Sequence, residues 1–414
     1  MKNFLLPTNL CSRGAKILGL LIFCVLFFEL ILQITSAHIT AIDRVTSPTL
    51  VRPEIDDPIL GHRGNPEFRE HDKNGFRNQI IPTEAYFVAL GDSHTYGTSV
   101  EREEAWPSVL SHLLNKTGYN MGLPGYGTTQ NLHNIHQALA LKPQLIIFGS
   151  YFGNDFYDSF SHSQRNGTLK AQVSESALKK IKYLESQNPI RERVTFGCRL
   201  GKTTKDMSSG RKFLSQTSKL YGMLRTAKRI LRNALYPSQG IFSKNFETAV
   251  KSLTPSQLQF CSVFQENDWE TIFTAPYRNL VLNDSDLRIR TGVELSKQAI
   301  QRMDAVARRN ETGFLVALLP TKETVFAPKV SDWKPHNELI NLISNEARLK
   351  NEMVQFFQDQ GIKFIDLAPP LRNATTQPYF ESADGHPNSI GQRIIAIELA
   401  RYIQESMNGD TIKD

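Results

Sequence analysis

Apolar residues cluster along this chain on two length scales. Near the start, Ile17 to Ile34 reads ILGLLIFCVLFFELILQI, interrupted only by Glu29 and Gln33. That is close to the ~20 apolar residues a helix needs to cross a bilayer. Lys2, Arg13 and Lys16 precede it and little positive charge follows, so the pattern predicts a signal-anchor with a cytoplasmic N-terminus and an exported remainder. The competing expectation is a cleaved signal peptide, with Thr35-Ser36-Ala37 as a weak cleavage site. The run is longer than the usual apolar core of about 7–15 residues, which favours the anchor. A charge such as Glu29 costs ~2–3 kcal/mol at mid-membrane. Glu29 lies nearer the outer end, where it either snorkels or faces a partner helix.

Beyond the anchor the apolar runs are short and alternate with helical periodicity. Tyr86–Leu90 reads as a buried strand closed by Gly91. Ala105–Leu114 puts Trp106, Val109, Leu110, Leu113 and Leu114 on one helical face. A glycine loop, Gly122–Gly127, leads to a helix over Thr129–Ala140, which Lys142-Pro143 breaks before a second strand, Gln144–Phe148. Strand–helix alternation of this kind predicts a parallel sheet covered by helices on both faces. Residues 159–285 then carry few strand signals and several basic, weakly amphipathic stretches. One is Phe213–Leu235, with Leu220, Leu224 and Leu231 at helical spacing. The alternation resumes with a helix at Ser296–Arg309, a strand at Gly313–Leu319, a helix at Leu349–Gln360, a strand at Ile362–Ile365 and a last helix at Ser389–Glu405. The organisation expected is a tail and anchor (1–37), a linker and lead-in (38–84), the α/β domain in two parts (85–158 and 288–408), and a helical insertion between them (159–287).

Composition narrows the function. With 48 basic and 41 acidic side chains the net charge is +7, without a long run of one sign, so a nucleic-acid-binding arm has no support. The basic 213–235 stretch could touch anionic lipid or glycan, although such a face ordinarily packs on its own domain with its charges solvated. Cys198 and Cys261 fall in the exported part, where a disulfide is permitted and the pairing stays open. No Cys/His spacing suggests zinc, and nothing specifies an oligomer.

Four segments carry chemistry. Gly91-Asp92-Ser93-His94-Thr95-Tyr96-Gly97 places a serine where the first strand ends, at the carboxyl edge of a parallel sheet. Asn120–Thr128 holds Gly125, whose bare backbone N–H can meet a substrate oxygen. Gly153-Asn154-Asp155 follows the second strand at the same edge, and the Asn154 amide is a further oxyanion donor. Asp384-Gly385-His386-Pro387-Asn388 precedes the last helix. Imidazole suits proton transfer from serine, and a serine hydroxyl is a poor nucleophile without such a base. His94 at best lines the pocket, and Asp92 and Asp155 are expected to hold their turns.

In this order the segments resemble the SGNH/GDSL hydrolase superfamily. Asp72–Asn78 (DKNGFRN), Glu104–Pro107 and Pro124–Gln130 resemble its exported bacterial members. The likeness covers roughly Asp56–Asp158 closely and Gly313–Ile403 more loosely. It implies a three-layer αβα sandwich around a parallel sheet of about five strands. It also implies Ser93 as nucleophile, His386 as base, and an oxyanion hole from the Ser93 N–H, the Gly125 N–H and the Asn154 amide. One departure matters. The family pattern is Asp-x-x-His, but Ala383 stands three residues before His386, and the nearest acid is Asp384. That shorter spacing resembles the alginate-type O-acetyltransferase branch, as does Pro320-Thr321-Lys322-Glu323. Asp384 either orients the ring, or a Ser–His dyad works with a backbone carbonyl in its place.

The expectation is an exported acyl-ester enzyme that needs no metal or dissociable cofactor, with a small-molecule or glycan ester as substrate and a single-pass anchor as its membrane contact. Water as acceptor makes an esterase, and a sugar hydroxyl makes an O-acyltransferase of envelope polysaccharide. A catalytically silent glycan-binding or assembly protein on the same fold is the alternative from another class.

Overall fold

The computed structural model describes residues 8–38, 53–188, 217–235, 245–255 and 257–410, with the isolated positions 46, 190, 214, 242 and 243. Two compact units divide the chain: residues 1–52 with 202–238, and residues 53–201 with 239–414.

In the first unit, Thr8–His38 is one helix. Its segment Lys16–Ser36 is long and apolar enough to cross a membrane. Glu29 faces a partner helix, Lys219–Leu235. Its carboxylate accepts hydrogen bonds from Ser218 Oγ (2.9 Å) and from the backbone N–H groups of Lys219 (2.8 Å) and Leu220 (2.9 Å). The first N–H groups of a helix lack internal partners, and this carboxylate supplies them.

The second unit begins with an antiparallel hairpin, β1 (Glu54–Asp57) and β2 (Gly61–Gly64). The lead-in after it is tied to the domain rather than loosely strung before it. Asp72 accepts from Tyr119 Oη (2.7 Å), and Asn78 exchanges two hydrogen bonds with the Asn120 backbone (2.9 Å each). The central sheet contains β3 (Phe87–Gly91), β4 (Gly118–Asn120), β5 (Leu145–Tyr151), β8 (Gly313–Leu319) and β9 (Lys363–Asp366), in the order β4-β3-β5-β8-β9. Every pairing in it is parallel. Helix Trp106–Leu114 packs with Ser389–Asp410 in one layer, while Thr128–Leu139, Asp155–Arg165 and Leu287–Arg309 pack together in the other. Phe87, Val88, Ala89 and Leu90 are wholly buried, as expected of a strand covered on both faces. The second strand of the sheet in chain order, β4, lies outside the first, so the order reverses between β3 and β5. Open α/β sheets bind ligands at that switch point, beyond the strands' carboxyl ends.

Between the two halves of the domain the structure differs from a purely helical insertion. Helix Glu175–Gln187 is present, but β6 (Ser262–Glu266) and β7 (Trp269–Phe273) form an antiparallel hairpin. Residues 191–213, and Cys198 with them, lie outside the described residues; Cys261 is buried. Two helices begin well before their expected starts. Leu287–Arg309 begins at the Asp286 cap, where buried Arg288 pairs with Asp286 (2.6 Å) and Glu185 (2.7 Å). Asn337–Gln360 likewise extends N-terminally, burying Leu339 and Leu342. In both, the added turns carry apolar residues at helical spacing among charged ones, Ile289 with Val293 and Leu339 with Leu342, and all four are buried.

Candidate active site

Ser93 opens a short helical turn, Ser93–Tyr96, directly after β3. Asp92 caps that turn, its Oδ1 accepting from the His94 N–H (2.8 Å). Gly91 has φ +155°, and a Cβ there would lie 2.2 Å from Thr95 Oγ1, so the close approach of strand and turn requires glycine. Buried Arg77, from the lead-in, closes the far end of the turn by donating to the carbonyls of Gly97 (2.5 Å), Tyr96 (3.3 Å) and Val100 (2.8 Å).

The structure brings Ser93 and His386 together, 2.9 Å between Oγ and Nε2. Asp92 Oδ2 lies farther from the hydroxyl, at 3.2 Å. On the other side of the ring, His386 Nδ1–H donates to Asp384 Oδ1 at 2.6 Å, and the same oxygen accepts the His386 backbone N–H at 3.0 Å. This geometry leaves Nε2 free to accept from the serine hydroxyl. Asp384 Oδ2 accepts from Ser99 Oγ at 2.6 Å. Burial works to raise the Asp384 carboxyl, but the electrostatic attraction of the His386 ring, the hydrogen bonds from its ring and backbone, and that from Ser99 together hold it well below the usual carboxylate range.

Gly125 and Asn154 reach the same edge. The backbone after β4 continues beside β3, with Met121 N–H donating to Ala89 O (2.8 Å) and Leu123 N–H to Gly91 O (3.2 Å). Gly125 then turns at φ +75°. His62, from β2, donates through Nε2 to the Pro124 carbonyl at 2.9 Å, bracing that turn. Asn154 follows β5 at the N-cap position of helix Asp155–Arg165, yet its side chain does not cap the helix. Its Nδ2 donates to Asp158 Oδ2 at 2.5 Å instead. An amide carries two N–H groups, so one remains for a substrate oxygen. Burial pushes the Asp158 carboxyl up to about 7.

His94 is buried beneath the site rather than lining it. Its ring stacks on Tyr151 with centroids 3.6 Å apart and lies 4.9 Å from the His386 ring. Burial, followed by the fields of His386 and Arg278, lowers its pKa against the pull of Asp92, so the ring is neutral. Ser99, Asp158 and Gln392 carry no sequence signal for their role, while Arg77 lies in the DKNGFRN segment read from the sequence but shows its contacts only in the fold. The Gln392 side chain accepts from Trp106 N–H (2.8 Å) and donates to His94 O (3.3 Å). Lys322 belongs to a motif visible in the sequence, but its contacts are visible only in the fold. Its ammonium donates to Thr271 Oγ1 (2.9 Å), Ile272 O (3.2 Å), Ser382 O (2.7 Å) and Asp384 O (2.9 Å).

A hydroxyl on an imidazole, an imidazole on a carboxylate, and donors at the ends of three adjacent strands can together attack a carbonyl and stabilise the resulting oxyanion. No family model and no curated protein matches the sequence. Among solved structures the chain resembles an extracellular lipase from Streptomyces rimosus, at 9% identity over 76% of this chain and 98% of that one, with TM-score 0.37. It also resembles an acetylxylan esterase from Geobacillus stearothermophilus, at 9% identity over 78% and 94%, with TM-score 0.34. A third is a GDSL-like lipase from Bacteroides thetaiotaomicron, at 11% identity over 80% and 92%, with TM-score 0.33.

Proposed function

We propose that this chain is a membrane-anchored serine esterase of the SGNH/GDSL type, with Ser93 as nucleophile, His386 as base, Asp384 as its orienting acid, and an O-acylated glycan or lipid as substrate. The observation that carries the reading is the unbroken relay Ser93 Oγ, His386 Nε2, His386 Nδ1, Asp384 Oδ1, with links of 2.9 and 2.6 Å between residues.

In this mechanism Ser93 Oγ attacks the ester carbonyl while His386 Nε2 takes its proton. The carbonyl oxygen becomes an oxyanion, held by the N–H groups of Ser93 and Gly125 and the Asn154 amide. The C–O bond to the leaving alcohol breaks, His386 returns the proton to that alcohol, and an acyl-Ser93 ester remains. Water, deprotonated by His386, attacks the acyl carbon; the bond to Ser93 Oγ breaks, His386 returns the proton to that oxygen, and the carboxylic acid and free serine are released. The Lys16–Ser36 helix holds the enzyme at the membrane, with the catalytic unit on the exported face of a bacterial inner membrane.

A second reading is supported by the Asp-x-His spacing and by Lys322 following the β8 strand: a sugar hydroxyl replaces water and the acyl group is transferred to envelope polysaccharide. Labelling of the full chain by a fluorophosphonate, lost in Ser93→Ala, tests the shared acyl-enzyme chemistry; an unlabelled, inactive wild type would support the silent binding protein instead. Mass spectrometry of envelope polysaccharide from a deletion strain separates the other two, extra acetyl groups meaning hydrolysis and missing ones meaning transfer.

A further inference from the structure

We propose that Lys322 is a positioning residue for the Asp384–His386 pair, an ammonium pin that holds the loop in the one conformation where an acid two residues from the histidine reaches its ring. The inference rests on the ester chemistry proposed above.

The loop needs such a pin because of its spacing. Asp384 Oδ1 binds both the backbone and the ring of His386, which closes a tight turn. That turn leaves the carbonyls of Ser382 and Asp384 without a strand or helix to satisfy them, and buried carbonyls need partners. Lys322 donates to both, at 2.7 and 2.9 Å; Thr271 Oγ1 adds a second donor to Ser382 O at 3.1 Å, whereas the Asp384 carbonyl is held by the ammonium. It is well placed to do so, standing just beyond β8 in the sheet core, at the start of a short helix capped by Thr321. The same ammonium reaches Thr271 Oγ1 and Ile272 O on β7, so sheet, hairpin and histidine loop meet at one atom. Three N–H donors face four acceptors within 3.2 Å, and Lys322 is 1% exposed. A buried ammonium is costly unless fully compensated; here the compensation comes from two carbonyls of the loop it holds, two acceptors on β7, and the nearby Glu323 and Asp384 carboxylates.

The contact also implies a pH dependence. Burial lowers the Lys322 pKa to about 8, with Glu323, Asp384 and Cys261 opposing the shift and Arg278 adding to it. Above that pH the amine loses its charge and its grip on the loop weakens.

The test compares wild type with Lys322→Met as full chains in detergent, by p-nitrophenyl acetate hydrolysis from pH 6.5 to 9.5 (about the useful range around the Lys322 value) and by hydrogen exchange. In Lys322→Met, kcat should fall about 10- to 100-fold with KM nearly unchanged, the size expected of a displacement near 1 Å. Amides of 382–388 should exchange at least about tenfold faster while those of 313–319 keep their protection, which reads folding separately. The wild-type decline in kcat/KM above about pH 8 should be missing from the variant. Unchanged protection of 382–388 together with the same alkaline decline in both proteins would overturn the proposal. A wild type that hydrolyses nothing, with a loop that still loosens in the variant, would support the pin and sink the esterase reading. Should Lys322→Met not fold, the wild type decides alone: protection of 382–388, corrected for intrinsic exchange, must drop above about pH 8 relative to 313–319, and constant protection refutes the idea.

Discussion

Replacing Asp384 with alanine removes three contacts at once: the 2.6 Å bond to His386 Nδ1, the 3.0 Å bond to the His386 backbone, and the 2.6 Å bond from Ser99. The charge-assisted ring bond alone is worth about 1.5–3 kcal/mol. Its loss also frees the imidazole to rotate and to take the tautomer that places a proton on Nε2, where it blocks acceptance from Ser93. Loss of the acid in comparable triads costs about 10⁴-fold in kcat. At ~1.4 kcal/mol per decade, an expected fall of about 10³- to 10⁴-fold corresponds to ~4–5.5 kcal/mol of the barrier. The assay is kcat for p-nitrophenyl acetate at pH 7.5 or so, the pH being near that of a working imidazole base. A thermal melt accompanies it, because the carboxylate also contributes to folding. Its native pKa is depressed, so its stabilisation is fully present above the unfolded value and is lost as pH falls below about 4. Asp384→Ala should therefore melt lower than wild type near neutrality, and the gap should close in acid. A folded Asp384→Ala within tenfold of wild-type kcat would refute the triad and leave a Ser–His dyad helped by a backbone carbonyl.

Three further outcomes follow from the site and the anchor. Asn154→Ala should cut kcat about 10²- to 10³-fold with little change in KM, as expected of a donor used mainly in the transition state; a loss confined to KM would remove it from the oxyanion hole. Asp158→Asn should gain on wild type in melting temperature as pH rises from about 4 to about 7. The raised native carboxyl makes wild type lose stability over that window, on the order of 1–2 kcal/mol after discounting for its partial exposure; a constant difference would count against the raised value. Glu29→Leu should leave the first N–H groups of helix Lys219–Leu235 unsatisfied and speed proteolysis within 217–235 several-fold in detergent, and equal cleavage would show that the cap contributes little.

The parts of the fold legible in the sequence are those whose side chains share one environment. Strands β3, β5 and β8 read as apolar runs because both faces are buried, and the serine motif is legible because a strand and a turn flank it. The β4 strand, Gly118-Tyr119-Asn120, is too short and mixed to stand out, though it fixes the switch point. The β6–β7 hairpin does leave a signal, Asn267-Asp268 between aromatic and β-branched residues, with Asn267 at φ +54°. The acidic residues Glu266, Asp268 and Glu270 interrupt its apolar alternation, and a reading that follows helical period alone passes over it. Of the site, Ser93, Gly125, Asn154 and His386 lie on recognisable segments, whereas the pairing of Ser99 with Asp384 spans 285 positions. Such a contact depends on the completed sheet, and no local pattern encodes it.

The departure from Asp-x-x-His has a physical explanation in the packing. Ala383, the position where the family pattern puts its acid, is buried in a small apolar cluster with Phe246, Ala249, Cys261 and Ile272. A carboxylate there would lose its hydration without gaining a partner, a cost of several kcal/mol. The hairpin and the helix before it therefore close the usual position, and the acid is delivered one residue later by a turn in which Asp384 binds its own neighbour's backbone. Such a turn directs two carbonyls inward toward buried donors, Lys322 for both and Thr271 Oγ1 for Ser382 as well. On the proposed reading the insertion, the shortened spacing and the buried lysine are one solution: a hairpin packed against the histidine loop fills the ordinary acid's position and, through Thr271 and Ile272, helps seat the cation that pins Asp384 beside His386.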